Sequence, residues 1–534
     1  MPDDGPFDEL NGRIHDLEAA VVSALWWLIP LLLLVIAAVV LVLLAVSSYR
    51  YRHGPGLASS GQVLGVSSRT ALTSSARYTR PGWTRRRGCE FREVGSRIGR
   101  TGLLGRTWFG ASHEDAIGVL APQRQGKTRR LLVRFIADAP GTVVAASTKL
   151  DLLDLSRPFV SSRRVILFDP DVVVTPELAA DADVVRWSPV MGCEKSAVAI
   201  RRAAAFVGDG ASSDATNAKF FAGSAAQVLQ CLLHAAALGG HTMADVVRWA
   251  ADSRDPQALT ILGAHSGAAP GWAGMLAGHV SGSKSEADVF KQLNLSLNLF
   301  ADPDVLRRAS PDPTEQFDVD AFLTSGDALF VLSSNRAVNS SAYTTMFVTE
   351  LLTRGQDLAL EFDHQRWEAP VTFVLDELTN TARVPTFPAV LADSGGRGLA
   401  IRWAAQGRSY LVDVWGRQGA QSIMNNSTWK VVLGGMDDAD FLSDLERLAG
   451  PVDRPVRGSL ERGPRSTPAM PIASIRTQRP MTATVWATSL PPFRTRLVDI
   501  GRDNEAKPAR TSARNRNDRQ LEAQVPVGPA AMSS

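Results

Sequence analysis

Cysteine is nearly absent: Cys89, Cys193 and Cys231 are the only three in 534 residues, far apart and in no set of Cys and His large enough to make a metal site. That excludes a disulfide framework and a Cys/His zinc site, and it fits a reducing compartment. Net charge is lacking too, at +3, so overall charge implies no nucleic-acid partner. Locally the gaps are sharper. Ala19 to Tyr49 carries no Asp, Glu, Lys or Arg, and residues 50 to 88 carry no acid.

Charge frames the first gap asymmetrically. Residues 1–18 hold Asp3, Asp4, Asp8, Glu9, Asp16 and Glu18 against Arg13, whereas 50–88 hold Arg50, Arg52, Arg69, Arg77, Arg80, Arg85, Arg86 and Arg87. At ~1.5 Å per residue the uncharged run exceeds the roughly 20 residues that cross a bilayer, and Pro30 is tolerated where neighbours or water satisfy the freed carbonyl. The arginine excess puts the C-terminal side in the cytoplasm. Ala45-Val46-Ser47 looks faintly like a cleavage site, yet the leader is acidic and the run too long for a secretory signal. The expectation is an uncleaved single-pass anchor over 19–49, with an acidic extracytoplasmic N-terminus (1–18) and the bulk of the chain cytoplasmic. Residues 50–96, rich in Gly, Ser and Arg, read as an Arg-rich juxtamembrane linker, either near anionic headgroups or simply solvated.

A 45% hydrophobic content at this length allows more than one domain. From about residue 112, short apolar runs alternate with helical patterns: Ala116–Ala121, Thr142–Ser147, Arg164–Phe168, Ala328–Leu332, Val371–Leu375, Leu399–Ala405 and Trp429–Leu433. Such alternation predicts a mostly parallel sheet covered by helices. The pattern breaks over 192–320, where Phe221, Ala225, Val228, Leu232 and Leu233 make one apolar helix face. The expectation is an all-α domain (192–320) inserted between two parts of an α/β domain, 97–191 and 321–500. His234, His241, His265 and His279 within it have no metal spacing and read as core or surface residues. Past 450, Pro, Arg, Ser and Gly dominate apart from a strand-like pair, Ala483–Trp486 and Arg494–Ile500, and 501–534 reads as a disordered tail.

The chemistry concentrates in two segments. Ala121-Pro122-Gln123-Arg124-Gln125-Gly126-Lys127-Thr128 follows an apolar strand and precedes a helical pattern, Lys127 to Asp138. A strand feeding a tight loop into a helix N-terminus aims backbone N–H groups and the positive end of the helix dipole at one anion. Gly126 lets the loop approach phosphates, Lys127 brings charge to the β- and γ-phosphates, and the Thr128 hydroxyl can ligate Mg²⁺. The second segment, Phe373-Val374-Leu375-Asp376-Glu377, is an apolar strand ending in two acids. Asp376 suits the metal through its water shell and Glu377 suits polarisation of an attacking water. The pair predicts an ATP- and Mg²⁺-dependent P-loop site.

The ordered set of motifs resembles a known family. It runs from Thr101-Gly102-Leu103-Leu104-Gly105 and the phosphate loop through Ser147-Thr148-Lys149-Leu150-Asp151, Arg186-Trp187-Ser188-Pro189-Val190, Asp376-Glu377, Gly396-Arg397-Gly398-Leu399 and Gln406 to Trp415-Gly416-Arg417-Gln418-Gly419-Ala420 and Asn425-Asn426-Ser427. This is similar to the TraG/TraD-type coupling proteins of conjugative type IV secretion, membrane-anchored hexameric ATPases related to FtsK-like DNA translocases.

The resemblance implies a RecA-like P-loop domain with an inserted all-α domain that recognises a relaxase-bearing substrate. It implies that Gln406, ending a strand, senses the γ-phosphate, and that Arg397 reaches a neighbouring subunit's site, with Arg402 and Arg408 as rivals. Lys149 and Asp151 border the nucleotide or pair with each other. The expected partners are single-stranded DNA bound without regard to sequence, a relaxase or relaxosome, secretion-channel components, the membrane, and five further copies in a homohexamer. Two features depart from the family: one membrane crossing where many members have two, and Ala121 in place of the first glycine of the loop. Alternative readings are an FtsK-like double-stranded DNA or protein-export motor, against which stands the lack of a second phosphate loop and a winged-helix module, and a non-hydrolysing membrane receptor for the relaxosome, against which stand Lys127, Thr128, Asp376 and Glu377 together.

Overall fold

The structure is a computed structural model that describes residues 11–18, 26, 29–40, 42, 54–80, 82–84, 88–102, 105–171, 174, 182–208, 216–280, 284–333, 340–454 and 465–503. An antiparallel pair comes first, β1 (Gly95–Thr101) and β2 (Thr107–Ser112). Then follow β3 (Ile117–Leu120), β4 (Val143–Ser147), β5 (Val165–Phe168), the two-residue β6 (Asp183–Val184), β7 (Ala328–Leu332), β8 (Val371–Leu375), β9 (Leu399–Ala405) and β10 (Trp429–Leu433). Apart from β6 these later strands are buried along nearly their whole length, because a parallel sheet covered on both faces has no solvent side and needs near-continuous apolar sequence. β11 (Pro451–Arg454) and β12 (Arg465–Pro468) form a separate pair, and β13 (Thr482–Ala487) and β14 (Leu490–Arg496) close the chain of strands.

The main sheet has the order β2-β1-β14-β13-β10-β3-β9-β8-β4-β7-β5-β6. From β10 to β6 every neighbouring pair is parallel, while β13, β14, β1 and β2 add an antiparallel flank beyond β10. The parallel strands therefore end on one common edge, the edge at which open α/β sheets bind ligands. Against one face, Leu131, Leu132, Val133, Phe135 and Ile136 of the helical segment after β3 join a core with Val119, Phe330 and Val431; against the other, Phe347, Leu351 and Leu352 of the helix Ser340–Ala359 join the core of the insert.

Between β6 and β7 the chain is helical. Its centre is the helix Thr216–Gly239, around which Ser196–Gly208, Met243–Ala251, Gln257–Ala264, Trp272–His279 and Lys284–Leu297 pack. The expected apolar face is turned inward: Ala225, Val228, Leu232 and Leu233 are buried and Phe221 is partly so. Phe220–Gly239 is the one described helix long and apolar enough to cross a membrane, and it is instead the core helix of the insert, more than half buried. A buried ion pair, Arg202 Nη2 to Glu350 Oε1 at 2.9 Å, ties the first helix of the insert to Ser340–Ala359. His234 is a core residue: its Nδ1 lies 2.7 Å from the Cys193 carbonyl and its Nε2 accepts from the Ala269 N–H at 3.0 Å.

Three expectations differ. The segment expected as linker carries three helices, Ser60–Ser67, Arg69–Thr79 and the single-turn Phe91–Val94, the first two capped by Ser59 and Ser68, with Ala58, Val63, Leu72 and Ala76 buried. Small residues let these helices lie close on the β1–β2 pair, so burial is achieved without the bulky periodicity that a sequence scan detects. The second strand of the C-terminal pair begins at Leu490 instead of Arg494, and residues 501–503 of the expected tail are ordered, with Asp503 buried. Of the uncharged N-terminal run, Trp26, Val42 and the helix Ile29–Val40 are described, with Leu31, Leu32, Leu33 and Leu34 exposed; the rest of 19–49, most of 1–18 and all of 504–534 lie outside the described residues.

Candidate functional site

The C-terminal edge of the sheet assembles the two motif segments. β3 ends at Leu120, and the Ala121 N–H continues its ladder by donating to Ala405 at 3.0 Å. The loop then turns through two left-handed residues, Arg124 (φ 63°) and Gly126 (φ 73°). The left-handed dihedral favours glycine at 126, and a Cβ there would in addition press on the Arg130 guanidinium, whose carbon lies at 3.1 Å. Arg130 closes the loop by donating to the Gln125 carbonyl at 2.9 Å. Lys127 opens the helix, whose first turns, Thr128–Leu132, are π-helical before α-helix resumes over Val133–Ala137. Such π-turns are rare and concentrate at functional sites.

β8 delivers the acids. Lys127 Nζ stands 3.0 Å from Asp376 Oδ1 and 3.4 Å from Glu377 Oε1, although 250 residues separate Lys127 from Glu377. Asp376 Oδ2 accepts from Ser147 Oγ at 3.3 Å, and Glu377 Oε2 accepts from Thr148 Oγ1 at 3.3 Å and Asn380 Nδ2 at 3.4 Å. Burial pushes the Asp376 carboxyl above the ordinary aspartate range; Lys127 opposes this and Glu377 adds to it. Glu377 itself sits in the left-handed region (φ 49°), as the N-cap of Leu378–Thr381. A non-glycine residue held there costs on the order of 1 kcal/mol or more and persists where surrounding structure over-determines it.

β9 lies between β3 and β8, so Gln406, just past its end, falls between the phosphate loop and Asp376-Glu377. Arg397 lies elsewhere. It ends the helix Phe387–Arg397, pairs with Asp393 at 2.9 Å, and precedes β9, which puts it at the opposite edge of the sheet, on the order of 20 Å from Gln406 at ~3.3 Å per residue. Arg402 is wholly buried under the β1–β2 pair, donating to Ser96 Oγ and to the Ser112 and Asp115 carbonyls, and burial lowers its pKa to about 10. Arg408 pairs with Asp444 and lies over the Phe441 ring. Of the five residues Ser147 to Asp151, Ser147 and Thr148 reach the site, Lys149 is exposed, and Asp151 is near enough to raise Asp376 slightly. Sequence reading missed Asn380 and the hydroxyl roles of Ser147 and Thr148; their placement at the end of β4, just after it, and in the short helix Leu378–Thr381 that follows β8 was the available signal.

No group of three or more His, Cys, Asp or Glu is placed to hold a metal among the described residues. A hydroxyl, a carboxylate, phosphates and waters are the donor set that Mg²⁺ ordinarily takes, so Thr128 and Asp376 need no such cluster. Asp376 Oδ1 is buried and accepts no hydrogen bond of good geometry beyond its ion pair, which leaves it open to a cation.

A phosphate loop after one parallel strand, paired acids after another, and a further strand between them define a RecA-like P-loop α/β fold, here with an all-α insert. Residues 370–482, from β8 to the start of β13, match the family described as the TraM recognition site of TraD and TraG. Among solved structures, the unbound bacterial conjugative coupling protein TrwBdeltaN70 matches with a TM-score of 0.58 and 18% identity, covering 81% of this chain and 92% of that one. The plasmid coupling protein TrwB in complex with ADP and Mg²⁺ matches at 0.56 and 18%, covering 76% and 94%. TrwB with the non-hydrolysable ATP analogue ADPNP matches at 0.54 and 18%, covering 72% and 86%. No match was found among the curated proteins. The resemblance to TraG/TraD-type coupling proteins thus holds in sequence over the second part of the sheet domain and in fold over most of the chain.

Proposed function

We propose that this chain is a membrane-anchored, ATP- and Mg²⁺-dependent coupling protein that forms a homohexameric ring, the assembly of the family it resembles, and delivers single-stranded DNA with its relaxase to a conjugative type IV secretion apparatus. The observation that carries it is the convergence of Lys127, Asp376 and Glu377 within 3.4 Å at the C-terminal edge of a parallel sheet. Residues 121–128 would hold the triphosphate, and Thr128 and Asp376 would hold Mg²⁺, which supplies charge neutralisation at the phosphates. Lys127 then turns from the two acids to the phosphates, and this frees Glu377 to polarise the attacking water. Thr148 and Asn380, both on Glu377 Oε2, keep that carboxylate aimed. Gln406 orients the water or donates to the γ-phosphate. Arg397, remote from its own chain's site, serves a neighbour's in the ring.

Other lines support the cellular setting. The TrwB structures of like fold hold ADP with Mg²⁺ and an ATP analogue. The match over 370–482 to a TraM recognition site supports a relaxosome partner. Leu31 to Leu34 lie exposed on their helix, at a cost in water of about 25 cal/mol per Å² that insertion in a bilayer removes. The test is ATP hydrolysis by the full chain in detergent, with and without single-stranded DNA. DNA should stimulate turnover, and Lys127→Ala and Glu377→Gln should abolish it. Equal rates in wild type and Glu377→Gln refute the mechanism.

A further inference from the structure

A cavity of about 310 Å³ stands apart from the residues assigned above, and arginine dominates its wall: Arg100, Arg106, Arg496 and Arg502, with Met481 and one acid, Asp499. Strand register locates it. Leu120 pairs with Val432, Val432 with Thr484, Thr484 with Arg494, and Thr482 with Arg496, which in turn faces Arg100. The cavity is therefore on the same edge as the phosphate loop, three strand spacings along the sheet, about 14 Å away at ~4.8 Å per spacing.

Its charge is uncompensated. Asp499 is already engaged by Arg129, one residue after Thr128, at 3.3 Å, and Arg100 shares the buried Asp503 with Arg134 of the phosphate-loop helix, at 3.7 and 2.6 Å. Arg106, Arg496 and Arg502 are exposed and have no carboxylate partner among the described residues. Three unpaired guanidiniums around one concavity repel each other, and each presents a planar fork that matches a phosphate oxygen pair. A single nucleotide already has its charges met by Lys127 and the loop; a further excess of three positive groups fits a ligand that repeats its phosphates.

We propose that this cavity grips the phosphodiester backbone of single-stranded DNA, a reading that rests on the function proposed above. Arg100 makes the site sensitive to its occupant, since a phosphate that takes Arg100 from Asp503 alters the partner of Arg134 on the phosphate-loop helix. Bound strand and nucleotide site then communicate through two shared acids.

The experiment uses the full chain in detergent and a labelled oligo(dT), with affinity measured across a KCl series. Neutralising three phosphate contacts in Arg106→Gln/Arg496→Gln/Arg502→Gln should lower the magnitude of the log K against log salt slope by about 2, at ~0.7 per single-strand phosphate. Basal ATP hydrolysis should stay unchanged and its stimulation by DNA should fall. The corresponding triple lysine variant should keep the slope, which separates charge from folding. An unchanged slope in the glutamine variant overturns the assignment, as does a raised KM for ATP at unchanged slope, which gives the cavity to the nucleotide, or a loss confined to anionic vesicles, which gives it to the membrane. If the wild-type chain binds no single-stranded DNA, the proposed function falls together with the cavity's role.

Discussion

Lys127→Met deletes a charge while keeping most of the side-chain volume, and it strands two acids. The side chains of Lys127, Asp376 and Glu377 are 10%, 7% and 12% exposed, so water screens them weakly. Removing one partner of a buried ion pair costs about 3–5 kcal/mol, because the other charge stays buried without compensation. Asp376→Asn leaves Lys127 with Glu377 at 3.4 Å and should cost less, about 1–3 kcal/mol. In the double variant the second change removes a charge that the first had stranded, so its cost should fall short of the sum by about 1–3 kcal/mol. Urea unfolding of the nucleotide-free chain at pH 8 measures all three. Burial already raises the Asp376 carboxyl, and loss of Lys127 raises it further. A carboxyl whose folded pKa is raised binds a proton more readily folded than unfolded, so stability falls as pH climbs from the ordinary aspartate range to the folded value. The deficit of Lys127→Met should accordingly shrink as pH is lowered from 8. Additive costs with no pH dependence would refute the reasoning.

His113 and Glu350 give two further tests. Burial and the nearby Arg402 lower the His113 pKa to about 3, and its Nε2 sits 2.8 Å from the Arg92 carbonyl. The unfolded chain therefore binds this proton first, and stability should decline as pH falls from about 6.5 toward 3; in His113→Gln the pH slope of unfolding should be shallower by up to one proton. Burial alone would raise Glu350, but Arg202 and Arg201 prevail and hold it below the ordinary glutamate range. Its advantage over Glu350→Gln should be complete above about pH 5, worth about 3 kcal/mol, and should vanish as pH drops through the folded value; thermal unfolding across pH 3–8 reads this directly.

The parallel strands were legible because burial on both faces demands unbroken apolar runs: Ala328–Leu332, Val371–Leu375, Leu399–Ala405 and Trp429–Leu433 are found with the expected bounds. β1 was not, since Ser96, Arg97 and Arg100 satisfy themselves through distant partners. Arg97 pairs with Asp138 at 2.6 Å and Ser96 receives Arg402, contacts that no local pattern announces. Pro491 and Pro492 argue against a strand, yet β14 admits them where its register with β13 shifts, between the pairs Ala487–Leu490 and Val485–Phe493. In the site, the phosphate loop and Asp376-Glu377 were legible as motifs that need each other. Thr148 and Asn380 were not, because a hydroxyl or amide that aims a carboxylate looks like any turn residue until the carboxylate is in place.

The all-α insert leaves the sheet and returns to it at nearly one point, for Arg186 and Gln316 are bridged side by side in parallel, and β5 and β7 are direct neighbours. A module hung from two adjacent threads is topologically a side branch. Evolution could lengthen, trade or lose it without re-weaving the sheet, and a short graft across that gap should leave the nucleotide edge standing.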